Sequence, residues 1–367
     1  MKTKLLLLYL FIFTSLSAQT GWFSIGALSD THHNDYGDIY AFDANHVCVM
    51  ADNGHYYETT DGGAHWSHTD LAVTGRIYDL TFNNNLGVAV GDNGILLLTY
   101  DAGNNWQAVQ AGTNETLYET AILDSSNIWV AGANGVLLHS DDAGATWQIN
   151  TSLTGQDIYT IQFKDSQTGY FAGAQQTLYK TTDAGAGWQR ISVNSNTIGV
   201  QNFYKLSIAD NKMSMLAGNS NRNKEAFIST DEINWNRLNS YFFYSDIVFI
   251  DDNTMFLSGI LLTTYNNSTQ IRVVKKTTNN IIDSLIFNTD FPEPAGSTFT
   301  NSLFFLNPST GFLLTGDFVF KTIDGGSGLT QVDESTLNGV SKYDKDFISL
   351  YPNPGNDFLT IHIKPIK

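Results

Sequence analysis

An all-β ring, a β-propeller of seven four-stranded blades, is predicted by three features of this 367-residue sequence. A short turn motif with one acidic residue and one tryptophan returns along the chain. Its period is that of one four-stranded blade. The residues between its copies fall into short, alternating, strand-like segments.

The motif first reads Thr60-Asp61-Gly62-Gly63-Ala64-His65-Trp66, then Tyr100-Asp101-Ala102-Gly103-Asn104-Asn105-Trp106. It returns as Asp141-Asp142-Ala143-Gly144-Ala145-Thr146-Trp147 and Thr182-Asp183-Ala184-Gly185-Ala186-Gly187-Trp188, and in shortened form as Thr230-Asp231-Glu232-Ile233-Asn234-Trp235. Two degraded copies follow. Thr278-Asn279 lacks the tryptophan, and Ile323-Asp324-Gly325-Gly326 has Leu329 in its place. Counting Asn279 at the acidic position, successive copies lie 40, 41, 41, 48, 48 and 45 residues apart.

Between copies run segments of four to six residues bounded by Asn, Asp, Gly or Ser, as strands should be. Blade two has Tyr78–Phe82, Val88–Gly91 and Ile95–Thr99. Blade three repeats them as Tyr118–Ile122, Ile128–Gly132 and Val136–His139, and blade four as Tyr159–Phe163, Tyr170–Gly173 and Thr177–Lys180. Asp52-Asn53-Gly54 and Asp92-Asn93-Gly94 carry the Asn-Gly signal of a tight hairpin.

The motif has a physical task. Its aspartate can accept hydrogen bonds from the backbone of its own turn, and its glycine supplies the positive φ that the turn requires. The tryptophan packs over the hairpin, contributing about 4–6 kcal/mol gross through its buried indole. Asp61, Gly63, Trp66, Asp101, Gly103, Trp106, Asp142, Gly144, Trp147, Asp183, Gly185, Trp188, Asp231, Trp235 and Asp324 are therefore structural residues.

These residues resemble the Asp-box (BNR) repeat, and more closely the propellers of the photosystem II assembly-factor type. The resemblance covers about residues 22 to 330. It implies blades running from an innermost to an outermost strand, with the box between the third and fourth. It also implies that Gly21-Trp22-Phe23, a strand of post-box type, completes the last blade and closes the ring.

The start of the chain has the order of a secretory signal peptide: Lys2 and Lys4, the apolar run Leu5–Phe13, then Ser15, Ser17 and Ala18. Residues 1–18 are expected to be removed, and the run is too short to span a bilayer. No later stretch is long and apolar enough for a transmembrane segment. The net charge of −17 excludes nucleic acid as a partner and disfavours anionic membrane. Cys48, the single cysteine, lies between two valines and reads as a core residue.

Tyr351-Pro352-Asn353-Pro354 followed by Leu359-Thr360-Ile361 resembles the opening of the C-terminal sorting domain of type IX secretion. The resemblance implies a secretion machinery as partner and a secreted or surface-attached protein. Only the start of that domain is present, too few residues to bury a core. The expected organisation is signal peptide 1–18, propeller 19–335, linker 336–346 and truncated sorting domain 347–367.

Asp-box propellers include sialidases, whose site resembles three converging arginines, an Arg-Ile-Pro segment and a Tyr–Glu pair. Here Arg76-Ile77 is followed by tyrosine, and the other arginines are Arg190, Arg222, Arg237 and Arg272. Strand alternation sends the neighbours Tyr118 and Glu119 to opposite faces, so no catalytic residue is expected. The alternative, a divergent extracellular glycoside hydrolase, would need two converging carboxyls about 5–10 Å apart. No metal or other cofactor is expected either. His65 and His68 lie at an odd offset, and His32-His33 sits in a polar loop.

What remains is a binding surface. Tyr78, Tyr118, Tyr159 and Tyr204 hold equivalent positions at the start of the innermost strand of blades two to five. They form an arc at one mouth of the channel or pack between blades. The resemblance implies that the loop between second and third strands lies on the same face, and this loop has three residues in blades one to four. It extends over Asn219–Glu225 in blade five, with Arg222 and Lys224, and over Leu262–Gln270 in blade six, with Tyr265 and Asn266. The expected function is a non-catalytic binding or scaffold protein for glycan, peptide or protein partners.

Overall fold

The computed structural model describes residues 21–28, 37–194, 198, 201–219, 224–238, 243–263, 268–277, 281–289, 301–315, 318–326, 348–351 and 360–363. Seven four-stranded antiparallel sheets follow one another as the blades of a propeller, and an eighth, two-stranded sheet pairs Ile348–Tyr351 with Thr360–Ile363. Blade two shows the plan: Ile77–Asn83 lines the channel, Leu86–Gly91 and Leu96–Thr99 follow outward, and Gln107–Ala108 forms the outer edge. The seventh blade is a composite. Asn301–Phe305, Gly311–Thr315 and Phe318–Thr322 come from the end of the chain, and Trp22–Ala27 adds the outer strand by antiparallel pairing to Phe318–Thr322. The Gly21 N–H donates to Asp324 Oδ2 at 2.8 Å, tying this closing strand to the box of its blade.

The second strand of each blade explains why the apolar runs are nearly continuous. Val47–Ala51, Ile128–Gly132 and Gly169–Gly173 are buried at every position, because another blade covers each face of the sheet. The core is correspondingly divided. Seven apolar clusters fill the seven junctions between neighbouring blades, from Ile39 and Val49 with Phe312 at the ring closure to Phe256 and Leu313 between blades six and seven. Cys48 is a free thiol fully buried in one of them.

The box turns serve these junctions. In blade three the Ser140 hydroxyl donates to Asp142 Oδ1 at 2.8 Å, and that oxygen accepts the Thr146 N–H at 2.8 Å. The equivalent contacts of Asp61, Asp101 and Asp183 are 2.9, 2.8 and 2.8 Å from the N–H four residues on. In the shortened box Asp231 accepts the Asn234 N–H, three residues on, at 2.7 Å. Gly63, Gly103, Gly144 and Gly185 have φ of +95°, +94°, +89° and +92°. At Gly185 a Cβ would also lie 2.2 Å from the Trp129 ring of the preceding blade, so both conformation and space demand glycine. The tryptophans reach further than their own hairpins. Trp106 meets Tyr56 of blade one, Trp188 meets Trp129 of blade three, and Trp66 donates its indole N–H to the Ile25 carbonyl of the closing strand at 3.1 Å.

Blade six departs from the others. Its strands Phe243–Asp251, Thr254–Thr263, Ser268–Thr277 and Ile281–Thr289 run nine or ten residues. Three residues separate the last two strands, too few for a seven-residue box. The degraded box Thr278-Asn279 lies outside the described residues, as does Leu329.

Candidate functional site

The innermost strands converge on the central channel, and each of those from blades two to five carries a β-bulge near its start. The register shifts between Ile77 and Asp79, Leu117 and Glu119, Ile158 and Thr160, and Phe203 and Lys205. A bulge sets two residues against one and interrupts alternation. The residues within the shifts are Tyr78, Tyr118, Tyr159 and Tyr204. All four are half-buried and touch in succession around the mouth. Ring centroids lie 5.5 Å apart for Tyr78–Tyr118, 5.2 Å for Tyr118–Tyr159 and 5.1 Å for Tyr159–Tyr204, the last pair stacked at 21°. The Tyr78 and Tyr159 hydroxyls donate to Asp92 and Asp157, each at 3.2 Å. Burial pushes the Tyr118 phenol up to about 12, with nearby Asp157 adding to it.

Two sequence expectations are corrected here. Regular alternation does not hold at Tyr118 and Glu119, because the register shifts between Leu117 and Glu119. The long loops are also shorter than expected. Lys224 and Glu225 open the strand Lys224–Ser229, and in blade six Leu262 and Thr263 pair with Thr269 and Ser268 as an extended hairpin. Arg222, Tyr265 and Asn266 lie outside the described residues. Lys224 does not sit in a solvated loop. Its ammonium stands 5.6 Å from the Tyr204 centroid and 3.4 Å from the Ser245 carbonyl, extending the arc towards blade six. Burial lowers its pKa to about 8.

Below the arc, the channel wall carries a circuit that the sequence reading did not find. Six of the seven innermost strands offer a polar side chain to a backbone N–H of the next. Asp38 accepts from Leu80 at 2.9 Å, Asp79 from Thr120 at 3.0 Å and Glu119 from Ile161 at 2.7 Å. Thr160 accepts from Leu206 at 3.2 Å, Ser207 from Phe249 at 2.7 Å and Asp246 from Leu303 at 2.8 Å. The Ser302 hydroxyl closes the circuit by donating to Asp38. Lys205 projects into the same space and bonds Glu119 at 2.5 Å. Burial pushes Asp38 up, and burial with repulsion from Asp38 and Glu119 pushes Asp79 well up. Burial alone would lower Lys205. Glu119, Asp246, Asp79 and Asp38 outweigh it and hold the ammonium well above its ordinary value. In blades two to four its members Asp79, Glu119 and Thr160 directly follow the tyrosines, whereas in blade five Ser207 lies three residues after Tyr204.

Among the described residues, one group of side chains converges as metal ligands do: His55, His68 and Asp70, on the outer edge of blade one. His65, which faces its own box aspartate at 2.6 Å, is not part of it. His32-His33 lies outside the described residues. No described helix is long and apolar enough to cross a membrane.

A closed ring with box turns at one face and an aromatic mouth at the other defines the class: this is a seven-bladed propeller of the Asp-box type. The family model for sortilin, neurotensin receptor 3, matches residues 135–325, more than half of the chain, and the chain belongs to that family. The model for the photosynthesis system II assembly factor YCF48 matches residues 21–115. No curated protein matches the chain in sequence. Among solved structures it is similar to YCF48 bound to D1 peptide, at 16% identity and a TM-score of 0.61 over 83% of this chain and 97% of that one. YCF48 from Cyanidioschyzon merolae is similar at 13% identity and a TM-score of 0.58, over 83% and 98%. The GH74 enzyme of Niastella koreensis is similar at 18% identity and a TM-score of 0.63, over 82% of this chain and 54% of that chain. Likeness at these identities is likeness of fold.

Proposed function

We propose that this protein is a non-catalytic binding propeller that works outside the cell and holds an extended ligand, peptide or glycan, across its tyrosine arc. The observation that carries this reading is the unbroken contact of four half-buried tyrosines ending at Lys224. Three such steps cover roughly 16 Å, the span of about five extended residues. Aromatic faces pack against apolar and cationic groups while phenol hydroxyls offer polar contacts. The D1 peptide on YCF48, a propeller of similar fold, makes peptides the first probe. The signal-like start and the Tyr351-Pro352-Asn353-Pro354 tail support export, with a secretion machinery as the tail's partner.

A glycoside hydrolase is the second reading, favoured by the raised Asp38 and Asp79 carboxyls in one channel and by the fold shared with GH74. The hydrogen bonds speak against it. Asp79 is 5% exposed, and its Oδ2 accepts the Thr120 N–H, the Thr120 hydroxyl and the Thr81 hydroxyl. A carboxyl so engaged joins blades and is shielded from a substrate.

The test is a thermal-shift screen of the full chain against peptides, oligosaccharides and polysaccharides. A ligand at a hundred times its Kd stabilises by about 2.7 kcal/mol, a shift of several degrees. A shift with one class and no product on long incubation is expected. Cleavage would instead establish the hydrolase, and no shift with any class would overturn the arc as a site for these ligands.

A further inference from the structure

We infer that His55, His68 and Asp70 form a zinc site on the outer edge of blade one, separate from the channel mouth. The register creates it. His55 opens the third strand, His55–Thr59, directly opposite Asp70 on the outer strand Ser67–Asp70. His68 lies two residues before Asp70 and therefore on the same face. A facing pair and its diagonal neighbour bring three side chains to one point.

The geometry is that of a coordination face. His55 Nδ1 lies 2.6 Å from Asp70 Oδ1 and 3.1 Å from His68 Nε2, and His68 Nε2 lies 3.3 Å from Asp70 Oδ1. Zinc bound at about 2.0–2.1 Å by four tetrahedral ligands holds those ligands about 3.3 Å apart. The 3.1 and 3.3 Å edges are close to that length, and the 2.6 Å edge would open by about 0.7 Å. The donor set, two imidazoles and one carboxylate, suits zinc better than calcium or magnesium, which prefer oxygen alone.

Supporting contacts orient the ligands. The His68 ring stacks on buried Tyr57 at 4.6 Å and 19°, which limits its rotation. Side-chain exposure rises from 15% at His55 to 40% at His68 and 66% at Asp70, so an ion can enter from solvent and keep water in the fourth position. The repeat supplies an internal control. Equivalent positions hold Ile95, Ala108 and Gln110 in blade two, and Val136, Ile149 and Thr151 in blade three. Blade four has Thr177, Arg190 and Ser192. The fold does not require these three residues in the edge of a blade.

Titration of the full chain with Zn2+ against a chromophoric zinc indicator at pH 7.4 tests the site. One equivalent should bind, and His55→Ala or Asp70→Asn should each weaken it at least tenfold. His32→Ala combined with His33→Ala should leave it unchanged. Co2+ should give tetrahedral absorption bands that vanish in Asp70→Asn, a change on an exposed edge that spares the core. Absence of stoichiometric binding, or binding that survives His55→Ala with His68→Ala, would overturn the proposal.

Discussion

The box rim and the channel wall use the same contact to opposite electrostatic effect. In both, a carboxylate accepts backbone N–H groups and fixes one segment against another. On the rim the carboxylates stay in water. Hydrogen bonds from Thr146 hold Asp142 at about 2, and those from His65 hold Asp61 at about 2. In the wall, burial and neighbouring acids push Asp38 and Asp79 up. The difference teaches that one repeated interaction serves two purposes. Rim aspartates shape turns locally, whereas wall carboxylates couple neighbouring blades and concentrate charge around Lys205.

The largest expected effect sharpens the rim side. Trp235 is 1% exposed in the junction of blades four and five, and Trp235→Ala should cost about 3–5 kcal/mol in chemical denaturation. On the wall, Glu119→Ala removes the acceptor of both the Ile161 N–H and the Lys205 ammonium. It should cost about 3 kcal/mol, since it leaves the Ile161 N–H unpaired and removes the salt-bridge partner of Lys205. A loss no larger than that of a rim aspartate would break the contrast.

pH separates the two classes next. Asp79 has a folded pKa above its unfolded value, so its contribution is complete below about 3.8 and is lost as pH rises through the folded value. Asp79→Asn should therefore gain on the wild type as pH rises from 4 to 7. Asp142 is depressed to about 2, so its contribution is present above about 3.8 and disappears as pH falls towards 2. Asp142→Asn should close the gap to the wild type over that range. Melting midpoints of the three proteins across pH 2.5–7 check both slopes. The smallest effect is at neutral pH, where Asp142→Ala should lower the midpoint by only a few degrees because the turn stays solvated.

The ring was legible because its signal is local and repeated. Asp101-Ala102-Gly103 and Trp106 sit within six residues, and the same arrangement recurs one blade later at Asp142 and Trp147. The closing strand at Trp22 was legible for the same reason. The tyrosine arc was half legible. Equivalent positions identified Tyr78, Tyr118, Tyr159 and Tyr204, while the bulges that turn them towards one another leave no composition signal. Regular alternation, the argument applied to Tyr118 and Glu119, does not run through that bulge. The wall circuit and the histidine edge were hidden because they form between strands. Asp38 meets Leu80 forty-two residues away, and His55 meets Asp70 through register alone. Lys224 was misjudged because a run of Asn and Ser suggested loop up to the point where the third strand begins.

The two faces of the ring make the central claim testable in one comparison. Affinity for the best ligand from the thermal screen should be measured for wild type, for Tyr118→Leu with Tyr159→Leu, and for His65→Ala on the box face. Binding at the tyrosine mouth predicts at least a tenfold loss in the double variant and no change in His65→Ala. A folded double variant that binds as tightly as wild type would contradict it.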